Sequence, residues 1–169
     1  MRRDHLSRVF LSLTLLAVGA CSGGGGGLGL GPTTPNVRVE GVEAASFELV
    51  NVERLTTGES DKLNRGSDIA DLARRYAEQM RDEGFFAHTT PDGKTLRQRL
   101  TDAGVDFSAA AENLVKVTNS ADPAGYAHTL LLQQPEHRDN MLDQKYKLLG
   151  VGAAKRNDTV WIAQIYIKR

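Results

Sequence analysis

From residue 68 onward the apolar positions keep a helical spacing. Ile69, Leu72, Ala73, Tyr76, Ala77 and Met80 form one stripe, and Arg74, Arg75, Glu78, Arg81 and Asp82 cover the opposite side. The pattern predicts a helix over 68–83, with Ser67 as N-cap and Gly84 as its stop. Phe47, Val50 and Arg54, with Leu49 and Val52 beside them, predict an earlier helix over 44–54, and the polar stretch 55–67 reads as a loop. Thr95-Leu96-Arg97-Gln98 is a capping-box pattern that opens a short helix to Ala103, ended by Gly104. Asp122-Pro123 reads as N-cap and first helical residue of a helix running to about Gln134, with Ala127, Leu130 and Leu131 facing inward. Pro135 starts a further helical turn that carries His137, Asn140 and Met141.

Three segments read as strands. Residues 113–118 alternate apolar with polar, and 148–155 and 159–167 form a hairpin about Asn157-Asp158, a pair tolerant of positive φ. In the last strand Val160, Ile162 and Tyr166 share one face, and Trp161, Ala163, Ile165 and Ile167 the other. A strand apolar on both faces is covered on both. The expected fold is therefore α/β, a three-layer α/β/α sandwich with a mainly antiparallel central sheet.

The first 36 residues follow a different pattern. Arg2, Arg3 and Arg8 precede an apolar run over 9–18, and the small residues Gly19 and Ala20 follow. Residues 1–20 read as a signal peptide, since the apolar run is too short for a permanent span. Cys21 is the only cysteine, so no intrachain disulfide can form. Val18-Gly19-Ala20-Cys21 resembles a bacterial lipobox, which implies that Cys21 becomes the mature N-terminus and carries lipid, with acyl chains such as palmitate. The other reading is an ordinary signal peptide with an incidental cysteine. Several acyl chains would anchor the chain stably where one would not. Residues 22–35 are Gly-rich with Pro and Thr, a composition that cannot bury a core and behaves as a flexible linker. The expected organisation is a signal peptide over 1–20, a lipidated cysteine and tether over 21–36, and one domain over 37–169. The expected location is the cell envelope, lipid-anchored; Ser22 after the cysteine resembles the outer-membrane sorting class of Gram-negative bacteria. The net charge of +0 and the absence of a basic block give no electrostatic support for nucleic-acid binding.

Candidate chemistry lies at the edges of the predicted elements. His88 follows Gly84-Phe85-Phe86-Ala87, Glu112 lies in Ala111-Glu112-Asn113-Leu114, and His137 lies in Glu136-His137-Arg138-Asp139-Asn140. Two imidazoles and a carboxylate suit a Zn²⁺ ion with one position open to water. The alternative is that His88, Glu112 and His137 hydrogen-bond one another and stitch loops to the sheet.

The ordered set of Asn51-x-x-Arg54, Gly84 to His88, Asp92-Gly93, Arg99, Ala103-Gly104, Glu112-Asn113-Leu114, His137-Arg138-x-Asn140-x-Leu142 and Gly150-Val151-Gly152 resembles the bacterial branch of the CAP superfamily (cysteine-rich secretory proteins, antigen 5 and pathogenesis-related 1; the SCP domain). The resemblance spans residues 47–169 and implies the same α/β/α sandwich. It also implies a central cleft with two His and two acidic residues. His88, Glu112 and His137 match three of these, whereas Gln134 stands where the second Glu would be and Leu131 where the family often has Trp. The disulfide-forming cysteines of eukaryotic members are missing.

The loss of one acid implies weak Zn²⁺ binding. No serine or cysteine adjoins either cleft histidine in sequence, and Glu112 cannot readily be both ligand and base. The leading expectation is a membrane-anchored, non-catalytic module that binds an envelope ligand, whether lipid, glycan or protein. The rivals are a metal-dependent hydrolase of envelope peptides and a structural protein with a vestigial cleft. His128 is expected on a solvated face, Glu136 as pointing away from the cleft, and Trp161 in the core. Arg99 and Arg138 are expected as exposed partners of nearby acids, and Gly150 and Gly152 as sites of close backbone approach.

Overall fold

The computed structural model describes residues 37–58 and 61–169. The expected signal segment, Cys21 and the Gly-rich tether lie outside the described residues. The elements are α1 (Val39–Thr57), β1 (Asn64–Arg65), α2 (Ser67–Glu83), α3 (Leu96–Asp102), β2 (Ala109–Thr118), α4 (Pro123–Leu132), α5 (Pro135–Leu142), β3 (Leu148–Arg156) and β4 (Thr159–Lys168). The sheet order is β1-β3-β4-β2, with β1 parallel to β3 and the other pairings antiparallel.

Each face of the sheet carries its own core, as expected of strands apolar on both sides. Val160, Ile162 and Tyr166 of β4 pack with residues of α1, α4 and α5, among them Val50, Leu131 and Met141. Ala163, Ile165 and Ile167 pack with Ile69, Tyr76 and Met80 of α2 and Leu100 of α3. Each such large side chain taken fully out of water contributes roughly 1.5–3 kcal/mol. The fold is the expected three-layer α/β/α sandwich, with a mixed sheet because of the short parallel β1.

Gly152 fixes how closely α2 lies on the sheet. A Cβ there would collide with the backbone of Ala73 and Arg74, so β3 and α2 meet main chain to main chain. Gly84, at φ 75°, ends α2 in the left-handed conformation that glycine adopts without strain.

Local signals were followed at most boundaries. Thr95 and Gln98 form the reciprocal capping box of α3, and the Asp122 side chain accepts the Gly125 N–H at the start of α4. Three details differ from expectation. Helix α1 runs beyond 44–54 because Val42 carries its buried face a turn toward the N-terminus. The N-cap of α2 is Gly66, with no side-chain cap, and Ser67 is already helical. The stretch 55–67, read as a loop, contains β1, whose two exposed polar residues carry no apolar alternation. Asn64 N–H donates to Lys147 O and Gly66 N–H to Leu149 O, so backbone bonds alone define the strand.

Two polar side chains of α1 hold the segment around β1. Asn51 exchanges two hydrogen bonds with the Leu63 backbone, at 3.2 and 2.8 Å. Arg54 is completely buried and donates to the carbonyls of Asp61, Met141 and Asp143, tying α1 to the end of α5.

Candidate functional site

The site is organised by adjacent residues of β2 that point to opposite faces of the sheet, as the period of a strand requires. Glu112 points toward α2 and α3. Asn113 points toward α5.

On the first face, His88 lies in the segment between α2 and α3. The Tyr76 hydroxyl donates to the Ala87 carbonyl at 2.5 Å and fixes this segment next to His88. Burial is the main cause that pushes the Tyr76 pKa up to about 12, so the hydroxyl remains a donor. Glu112 accepts from His88 Nδ1 at 2.9 Å through one oxygen and from Arg99 Nη2 at 2.8 Å through the other. A carboxylate only accepts, so the His88 proton sits on Nδ1 and the Nε2 lone pair is left for a ligand. Arg99 also donates to the His88 carbonyl at 3.2 Å and lies over the Tyr76 ring, 3.4 Å from its centroid. The Glu112 side chain is 2% exposed and that of Arg99 6%, whereas that of His88 is 58% exposed. A buried ion pair thus presents an accessible imidazole. Arg99, expected as an exposed partner, is a buried one; the α3 capping box and Leu100 set it against the core.

On the second face, Asn113 Nδ2 donates to the His137 carbonyl at 2.9 Å and Asn113 Oδ1 accepts from Asn140 Nδ2 at 3.0 Å. The Tyr166 hydroxyl donates to Gln164 Oε1 at 2.7 Å beside them. These contacts hold the backbone of α5, not the His137 ring. His137 Nδ1 is buried without a partner among the described residues. Burial lowers its pKa, repulsion from His88 lowers it further, and attraction to Glu136 opposes both. His137 is therefore neutral near pH 7, with His88 close enough to repel its proton.

Beside His137 lies a cavity of about 430 Å³, lined by Phe86, Leu114, Leu130, Leu131, Gln134 and His137 among others. Gln134 and Leu131 both line this cavity. Glu136 is exposed and touches His137 only through charge. His128, expected to be solvated, is half-buried on the side of α4 that meets α1, with Nε2 4.0 Å from Glu53 and Nδ1 unpartnered among the described residues. The helical pattern missed this because Glu53, its neighbour, comes from α1, far away in the chain.

The donor set fits zinc in part. His88 and His137 supply imidazoles from the two sides of β2, and Glu112 orients the first in the manner of a carboxylate behind a metal-bound histidine. Among the described residues no group of three or more His, Cys, Asp or Glu side chains is placed to hold one ion. The arrangement offers two imidazoles and an occupied carboxylate, short of the three protein ligands of a typical zinc site.

The fold and these paired faces define a known class. The model of the cysteine-rich secretory protein family, CAP, matches residues 47–166, and the chain belongs to that family. It is 31% identical over 129 residues to the uncharacterized membrane protein YlbC of Bacillus subtilis, a match covering 75% of this chain and 34% of YlbC. It is 25% identical over 126 residues to YkwD of the same organism, covering 75% of this chain and 47% of YkwD. The chain therefore spans less than half the length of these curated relatives. An extracellular SCP-domain protein from Bacillus anthracis superposes with a TM-score of 0.70 at 28% identity, over 82% of this chain and 45% of that one. An outer surface protein of Borrelia burgdorferi has the same fold, with a TM-score of 0.71 at 16% identity over 79% and 96%.

Proposed function

We propose that this chain is a non-catalytic binding module of the bacterial cell envelope, whose ligand occupies the cavity beside His137 and meets the His88 imidazole at its edge. The observation that carries this reading is the state of Glu112: buried, with one oxygen on His88 and the other on Arg99. A buried carboxylate shared in this way between a histidine and an arginine holds the imidazole in one orientation toward a ligand. The ligand class is lipid, glycan or protein. Nucleic acid is not among them, given the balanced charge.

A divalent ion such as Zn²⁺ binds weakly, through His88 and His137, with Glu112 behind His88. When bound, it would supply a Lewis acid able to take an oxygen of the ligand.

Cys21 carries the lipid that holds the domain at the membrane. Among the described residues no helix is long and apolar enough to cross a membrane. An envelope location is supported by the name of YlbC, a membrane protein, and by the description of the Bacillus anthracis neighbour as extracellular.

Two experiments test the proposal. Membrane fractionation should show that the full chain is retained and that Cys21→Ser is released. A screen of envelope lipids, glycan fragments and peptides should shift the ring resonances of His88 and His137 together, and a screen that moves neither counts against the cleft. Zn²⁺-supported cleavage of an envelope peptide, lost in both His88→Ala and His137→Ala, would establish the hydrolase instead.

A further inference from the structure

The two edges of the sheet are finished differently. On β3, β1 pairs with Leu148 and Leu149, and farther along the outward N–H of Ala153 donates to the buried Glu43 carboxylate at 2.9 Å. That carboxylate is itself held by Arg74, so a charged side chain blocks the edge. β2 forms the opposite edge. Asn119 N–H donates to Asp158 O at 2.9 Å, one step beyond the Thr118–Thr159 pair and in the same register. In an antiparallel ladder the bonded pairs alternate, so odd-numbered residues of β2 bond to β4. The N–H and C=O of Leu114 and Lys116 therefore face outward. Among the described residues nothing hydrogen-bonds to these groups, and the 430 Å³ cavity runs along both residues.

We infer that the β2 edge is a strand-addition site for an extended polypeptide carrying a carboxylate, laid along Lys116 and Leu114 toward Glu112 and His88. An unpaired main-chain row is complementary to another main chain, which supplies donors and acceptors at the same spacing. A peptide strand sends alternate side chains to one face, and Phe86, Leu130 and Leu131 offer an apolar wall for them. The charge is set by Lys116. Its side chain is exposed, its ammonium lies 5.8 Å from the Trp161 ring, and no carboxylate pairs with it among the described residues. This deepens the binding-cleft reading and rests on it, since the strand ends at the cleft histidines.

The test is backbone amide exchange on the full-length chain, with two sets of blocked hexapeptides as probes: valine alternating with aspartate, and valine alternating with lysine. The aspartate set should slow exchange at Leu114 and Lys116 about ten-fold, leaving Val115 and Val117, already bonded to β4, unchanged. It should bind roughly two- to five-fold tighter than the lysine set. Lys116→Pro removes an outward N–H while sparing the ladder to β4, and should abolish the slowing at Leu114 with Val115 still protected. Lys116→Glu should keep the slowing and reverse the preference between the two sets. Unchanged exchange with both sets overturns the proposal. So does slowing that grows with protein concentration alone, which would make a second copy the occupant. If both sets fail while phospholipid micelles or an N-acetylhexosamine oligomer shift the His137 ring, the strand site falls and the binding cleft stands. If nothing moves that ring, both fall.

Discussion

The two faces of β2 hold their histidines by different means. On one face the His88 ring itself is fixed, by a carboxylate that Arg99 anchors in the interior. On the other, Asn113 grips only the main chain of His137, and the ring is left with a buried, unpartnered nitrogen. A charge-paired imidazole that is exposed and a neutral imidazole that is half-buried therefore meet across one strand edge. The difference separates the two rings: the first is preset in direction by Glu112, and the second keeps a nitrogen without a partner among the described residues beside the cavity.

The largest break in this comparison is Glu112→Ala. It leaves the Arg99 guanidinium buried without its charge partner and should cost about 3–5 kcal/mol in urea unfolding. The pair Glu112→Leu with Arg99→Met should recover much of that loss, because it removes both charges. An unchanged midpoint for Glu112→Ala would mean that Arg99 finds other partners.

Asn113→Ala strikes the second face. It removes the bond to the His137 carbonyl and the acceptor of Asn140, and should cost about 1–3 kcal/mol. The His88 ring resonances should stay in place; their movement would show that the two faces are one network.

Acid should act more gently, through histidines kept neutral by burial. For His137, burial and His88 lower the pKa from 6.5 against the pull of Glu136; for His128, burial lowers it from 6.5 against Glu53. Below pH 6.5 the unfolded chain takes up protons before the folded one does. The stability these groups contribute is thus complete above that pH and declines as the pH falls toward their folded values. Chemical unfolding across this window should show the decline, and His128→Gln should reduce it. A flat profile would place both rings in contact with water.

The sequence showed the stripe of α2, the two faces of β4 and the capping box of α3, because each is a local rule acting within one element. Element edges and the ordered family pattern also singled out His88, Glu112 and His137 as candidates, but did not show that Glu112 would pair with His88 and Arg99 while Asn113 holds the His137 main chain. The sequence did not show β1, since Asn64 and Arg65 have no apolar alternation and pair through backbone alone. Arg99 and His128 were misjudged as exposed for one shared reason. Each lies on a short helix whose own pattern says little, and each is covered by partners from other elements: Arg99 fully, by Tyr76 and Glu112, and His128 in part, by α1. Charged and ionisable side chains on short helices are where local periodicity stops being informative.

The most direct test of the whole account is a Zn²⁺ titration of the full-length chain followed by ¹⁵N resonances of the imidazole rings. The account predicts that, before any metal, His88 carries its proton on Nδ1. It then predicts that His88 Nε2 and a nitrogen of His137 shift together in fast exchange, with the hydrogen bond from His88 to Glu112 retained. Tight binding that breaks this bond and recruits the Glu112 carboxylate as a ligand would contradict it, as would a titration in which only one of the two rings responds.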